Sequence, residues 1–181
     1  MNPWHDIPVT EESLHIAFPA IIEIPTGCKN KYELDKATGL LRLDRVLHGA
    51  VHYPANYGFI PRTFAEDGDP LDVLVLCQEP VAPLTIIDAR AVGVMRMRDE
   101  KGTDDKIIAV SIHDPAFCEY HRHSELPPFK IREIRKFFEE YKTLEEKEVV
   151  VRDWLGAAEA VSIIREAAAR YRQTFPPAAE A

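Results

Sequence analysis

Cysteine is scarce in this sequence. Cys28, Cys77 and Cys118 stand far apart, the number is odd and no CxxC pair occurs, so nothing resembles a disulfide framework. Reduced thiols in a reducing compartment are expected. Long apolar runs are missing too. No stretch approaches the ~18 residues of a membrane span. The opening MNPWHDIPVTEE has neither the basic nor the apolar segment of a signal peptide. A cytoplasmic protein without membrane contact is the expectation. Basic charge is in the minority: 22 Lys and Arg face 30 Asp and Glu, for a formal net charge of −8. Binders of a nucleic-acid backbone or an anionic bilayer rely on basic surface, so neither is an expected partner. A small anion remains open to a local cluster of cations. Internal repeats, low-complexity linkers and Gly-rich phosphate loops are absent as well.

What is present fits one soluble domain over residues 1–181. Such a chain can bury a good core without disulfides or a structural metal. From about residue 14 to 120 the segments are short, β-branched and broken by Pro and Gly. HIAFPAIIEI, LLRLDRVL, VLVLC, IDARAVGVMRM and KIIAVSI read as strands. Many short strands with irregular connections suggest a small closed barrel. Beyond Ser124 the period changes. Ile131, Ile134, Phe138 and Tyr141 recur every three or four residues, and Val161, Ile164, Ala168 and Tyr171 repeat the pattern. The reading is mainly β with α: a β-barrel with two packed helices. Residues 1–12 and the tail 174–181 are expected to be a mobile extension and a fraying end.

The segment EDGDPLDVLVL crowds Asp67, Asp69 and Asp72 in front of an apolar run. Like charges so close need a cation among them or good screening by water. An EF-hand loop fails: with Asp67 first, position five is Leu71, position six is Asp72 where Gly belongs, and position twelve is Gln78. A DxDx[TV] phosphatase nucleophile fails because Leu71 takes the Thr/Val place and the strand follows the acids. A solvated turn suits Asp-Gly and Asp-Pro. However, Asp72 opens the strand, where an unpaired carboxylate is costly. A hard-cation site suits all three, since Mg²⁺ takes oxygen ligands in a compact octahedron. On the local motif alone, turn and cation site stand level.

Other charged groups bear on the choice. RDEKGTDDKI carries Asp99, Glu100, Asp104 and Asp105, which alone reads as a solvated hairpin loop. IIEIPTGCKNKYELD carries Glu23, Lys31, Tyr32 and Glu33; Lys31 and Glu33 are two apart and share a face on a strand. Tyr53 and Tyr57 could be core residues with satisfied hydroxyls. By periodicity Tyr141 is core, and Lys142 alone reads as a snorkelling surface lysine. His121 and His123 would share a face on a strand but have no third ligand nearby, so no metal is expected there. Met95 and Met97 read as barrel packing.

The ordered set IEIP, KYELDKATG, LDRVL, YPANYGFIP, DGDPLDVLV, VGVMRMRDEKGTDDK and FFEEYKTLE strongly resembles the soluble inorganic pyrophosphatases of family I, in their short bacterial form. The match spans roughly residues 20 to 146. The resemblance implies an OB-like five-stranded barrel with helices, a homohexamer, and hydrolysis of inorganic pyrophosphate to two orthophosphates. It implies several Mg²⁺ ions per site, with Mn²⁺ or other divalents as substitutes. By motif, Asp67, Asp72 and Asp104 bind activating metals, and Asp99 helps hold a metal brought with substrate. Glu23 and Glu33 line the cavity on metal-bound water or a further ion. Asp69 orients or deprotonates the attacking water. Lys31, Arg45, Tyr57, Lys106, Tyr141 and Lys142 grip phosphate oxygens, with Tyr53 in support. Glu100 and Asp105 are left as solvated loop residues. A hydrolase of larger phosphoanhydrides such as nucleotides, and a non-enzymatic cation- or oligonucleotide-binding module, are the competing readings. The missing Gly-rich loop counts against the first and the acidic charge against the second.

Overall fold

The structure, a computed structural model, describes residues 1–99 and 102–176. Glu100 and residues 177–181 of the tail lie outside the described residues. Eight strands run in chain order: β1 Phe18–Ile24, β2 Asn30–Leu34, β3 Leu41–Val46, β4 Asn56–Phe59, β5 Asp72–Leu76, β6 Ile86–Asp99, β7 Gly102–Ser111 and β8 Val150–Leu155. Helix α1 is Pro3–Asp6, α2 is Pro128–Glu140 and α3 is Ala157–Thr174. Among the described residues no helix is long and apolar enough to cross a membrane.

Five strands close into a ring. Their order is β1-β4-β5-β7-β6, and the first half of β6 returns to β1, with Phe18 opposite Ala89. β8 adds to the second half of β6, and β2 and β3 form a separate hairpin. The sheet dominates and the helices are few, as the sequence reading expects. β5 pairs in parallel with β7. This explains why DVLVL reads as an unbroken apolar run, since a strand covered on both faces has no solvent side. Val73 and Val75 join the core that includes Ala160, Ile164 and Ala167 of α3; Leu74 and Leu76 join the one that includes Ile134, Phe137 and Phe138 of α2. Met95 and Met97 are fully buried in that second core.

Two local readings are corrected. RDEKGTDDKI is not a loop around its aspartates: β7 begins at Gly102, so Asp104 and Asp105 are strand residues. Asp105 is not solvated either, since both its oxygens accept from Arg96 at 2.9 Å and its side chain is 13% exposed. His121 and His123 do not share a strand face, because His123–Glu125 is a single 3₁₀ turn. Within the first dozen residues Trp4 is 3% exposed, and Leu14 just beyond them is 1% exposed. At the other end, Phe175 sits edge-on to Trp4 with ring centres 5.2 Å apart.

Candidate active site

Each element delivers its polar residues to one end of the ring for a local reason. Asp67 accepts the Asp69 N–H at 3.1 Å, and Ala65 N–H donates to the Asp69 carbonyl, which closes the aspartate turn. Asp72 is the first residue of β5. The parallel register sets Val73 against Ile107, which brings Lys106 alongside Asp72. Asp104 and Lys106 are two apart on β7 and share a face. In β1 the pairing with β4 shifts between Ile22 and Ile24. A bulge re-aims the residue it contains, and Glu23 turns inward to accept the Leu34 N–H at 2.6 Å. On the hairpin, Lys31 lies opposite Arg45.

These groups surround one cavity of about 660 Å³. Its wall includes Asp67, Asp69, Asp72, Asp99, Asp104, Glu23, Glu33, Lys31, Arg45, Tyr57, Lys106, Tyr141 and Lys142, so thirteen residues named from the sequence meet in one place. Tyr53 does not reach it. It is 2% exposed behind Tyr57, ring centres 5.3 Å apart, and packs on Phe137 at 4.7 Å. Tyr141 serves both readings, being buried in the α2 core and part of the cavity wall. Sequence reasoning missed Asp35, Lys36, Arg42, Asp44 and Lys147, which also line it. The signal for most of them was the density of charge in KYELDKATG and LLRLDRVL, whose charged residues all line the cavity.

Carboxylates and cations interleave. Lys106 bridges Asp72 and Asp104, the latter at 2.7 Å. Lys142 donates to Asp99 at 2.9 Å, Lys31 pairs with Glu33 and lies 3.6 Å from Asp44, and Lys36 pairs with Asp69. Arg45 is clamped between Asp44 and Glu145, whose Oε1 accepts from Nε at 2.8 Å. Burial alone would drive the Lys106 ammonium toward neutrality. The carboxylates of Asp104 and Asp72 outweigh it and hold the lysine charged well above its ordinary range. Burial pushes Glu23 up to about 8, Asp72 adds to the rise, and the Leu34 N–H only partly opposes it. Burial also raises Asp67 and Asp104, although Lys106 works against it at Asp104. Tyr57 is pushed up by burial first and then by Asp72.

Among the described residues no three His, Cys, Asp or Glu side chains stand grouped as ready metal ligands. Lysines take the space between the acids instead. The donor chemistry nevertheless suits a hard divalent cation. Nine carboxylates line the wall against seven cations, and no His or Cys is among them. The raised carboxyls reflect burial first, with neighbouring carboxylates adding to it.

A family model described as inorganic pyrophosphatase matches residues 20–172. The chain is 49% identical to soluble inorganic pyrophosphatase 2 of Chlamydomonas reinhardtii over 97% of its own length and 91% of that protein's. Identity to a soluble inorganic pyrophosphatase of Oryza sativa is 52%, over 91% of this chain and 76% of the other. Among solved structures, inorganic pyrophosphatase from Thermus thermophilus matches with a TM-score of 0.90 at 41% identity, covering 95% of this chain and 99% of that one. The Schistosoma japonicum enzyme shares the fold at 22% identity and a TM-score of 0.85.

Proposed function

The chain belongs to the inorganic pyrophosphatase family, and from that premise we propose how its cavity hydrolyses inorganic pyrophosphate to two orthophosphates. The observation that carries the proposal is convergence: thirteen residues named from separate motifs line a single cavity rich in both signs of charge. Pyrophosphate is a small, highly charged anion, and attack on phosphorus must pass through that charge. Catalysis is therefore mostly positioning and charge neutralisation.

Asp69, 43% exposed and lining the cavity, orients the attacking water and accepts its proton. Lys31 and Arg45 face the cavity side by side from paired strands and grip phosphate oxygens. Lys106, Tyr57, Tyr141 and Lys142 do so from β7, β4 and the end of α2. Together they align the substrate for in-line displacement and stabilise the leaving phosphate. Asp67, Asp72, Asp99 and Asp104 would hold Mg²⁺ ions, with Glu23 and Glu33 on a further ion or its water; Mn²⁺ would substitute. When bound, the metal supplies positive charge at the phosphates and lowers the pKa of water. Tyr53 supports Tyr57 from behind. Cytoplasmic residence and a homohexamer belong to the same proposal, the second on the family resemblance, and sedimentation would test it.

The test is phosphate release from pyrophosphate with Mg²⁺ and with chelator, run beside ATP and p-nitrophenyl phosphate. Fast, Mg²⁺-dependent turnover of pyrophosphate alone is expected. Preferential turnover of ATP would favour the larger-anhydride hydrolase. Bound metal without turnover of any substrate would leave a cation-binding module.

A further inference from the structure

The N-terminal segment contacts the chain just before the aspartate turn on one side and the end of β2, where Lys36 lines the cavity, on the other. On one side Trp4 donates from Nε1 to the Thr63 carbonyl at 2.8 Å, and Thr63 in turn accepts the Leu71 N–H beside the aspartate turn. The Trp4 carbonyl accepts the Arg62 N–H at 2.9 Å, and the His5 carbonyl accepts Arg62 Nε at 2.9 Å. Arg62 has φ 50. A non-glycine residue in the left-handed region needs its surroundings to hold it there, and α1 supplies two of the contacts. On the other side Asn2 Nδ2 donates to the Lys36 carbonyl at 2.8 Å. Gly39 lies so near the Met1 carbonyl that an added Cβ would stand 3.0 Å from it.

Lys36 reaches from the end of β2 to the aspartate turn. Its Nζ pairs with the Asp69 carboxylate, donates to the Gly68 carbonyl at 3.0 Å, and lies 5.7 Å from the centre of the Trp4 ring. A half-exposed Lys–Asp pair contributes little stability. Its consequence is geometric: carboxylate, carbonyl and aromatic face together restrict a side chain that would otherwise sample many rotamers.

We propose that Lys36 is a positioning residue, propped on Trp4, that fixes the Asp69 carboxylate and the turn carrying it. The N-terminal segment then backs the active-site wall through Lys36. The inference rests on the role given to Asp69 above, and it concerns orientation of that carboxylate rather than contact with substrate.

The experiment measures kcat and KM for Mg²⁺-pyrophosphate in Lys36→Met, Lys36→Arg, Trp4→Leu, Asp69→Asn and the double variant Lys36→Met/Asp69→Asn. Lys36→Met should lower kcat by about tenfold, a modest misplacement of a reacting group, with KM within about twofold. Lys36→Arg should recover most of that loss, and Trp4→Leu should lower kcat in the same direction. In the Asp69→Asn background, Lys36→Met should cost no further rate, because it acts through the missing carboxylate. A raised KM with intact kcat would overturn the proposal by making Lys36 a substrate ligand. An undiminished rate loss in the Asp69→Asn background would overturn it by making the effect independent of Asp69. Near-normal turnover by Asp69→Asn sinks the underlying reading. Slow Asp69→Asn beside unimpaired Lys36→Met sinks this inference alone. Lys36 is 46% exposed, so its variants test the idea even if Trp4→Leu does not fold.

Discussion

Asp69 and Asp72 lie three residues apart, yet their surroundings differ. Asp69 sits in an open turn against Lys36, whereas Asp72 abuts Lys106, whose side chain is 4% exposed. The division of labour follows: the more accessible group can exchange a proton with water, and the less exposed one, beside a buried lysine, can hold a cation. Asp69→Asn is expected to lower kcat by about 10²–10⁴-fold, the usual scale for a lost general base, with metal affinity by calorimetry nearly unchanged. Asp72→Ala should weaken metal affinity more than Asp69→Asn does; equal effects would refute the division. Glu23 makes a pH prediction for the chelator-treated protein. Its carboxyl titrates at 4.5 unfolded and at about 8 folded, chiefly through burial. Across that window the folded state binds more protons, so this contribution to stability is complete below 4.5 and disappears as pH rises through about 8. The melting temperature should fall over this range. The fall should flatten in Glu23→Gln, which keeps an acceptor for the Leu34 N–H. An equally steep fall in that variant would assign the effect to another group.

Among elements, β4 is the tightest fit. A Cβ on Gly58 would stand 1.8 Å from the Ile21 carbonyl oxygen, a backbone atom at the ring seam between β1 and β4, so neither strand can yield cheaply. Gly58→Ala is expected to destabilise by about 3 kcal/mol, at the upper end for overpacking, and to lower activity as well, because Tyr57 rides on the same strand. Denaturant melts check the first and turnover at low temperature the second; a change under about 0.5 kcal/mol, typical of tolerant surface sites, would contradict the contact. Two of the strands that escaped the sequence reading share one property. β8 carries only Val151 as a buried residue and pairs with β6 alone. β2 has only Leu34 buried. Periodicity reports burial, so weakly buried strands leave a faint pattern. Asp105 was misjudged for a related reason: its partner Arg96 lies across a strand pair, and charge in a turn-like sequence looks solvated until that partner is known.

For the molecule as a whole, the carboxylates constrain stability and function together. A divalent cation that binds the folded cavity and not the unfolded chain must raise the melting temperature by mass action. Mg²⁺ at 100 times its Kd should add about 2.7 kcal/mol at 25 °C, on the basis of one such site, and chelator should reverse the gain. Thermal melts across a Mg²⁺ titration check this; no shift at saturating Mg²⁺ would argue against a metal site in the cavity.

Local chemistry was legible from the residues alone. Turn formers beside three aspartates, apolar runs of strand length and the switch to helical period each depend on near neighbours in the chain, and the structure contains the corresponding elements. The ordered motifs carried the family. The meeting of Glu23, Lys31, Asp72, Asp104 and Lys142 in one cavity depends on ring closure, a bulge in β1 and the parallel β5–β7 register, all long-range pairings that no local pattern encodes. The same holds for which cation faces which carboxylate, and for Trp4 reaching Lys36 across the fold. Those contacts exist because burying the ring's two apolar faces leaves its polar strand ends no other place to gather.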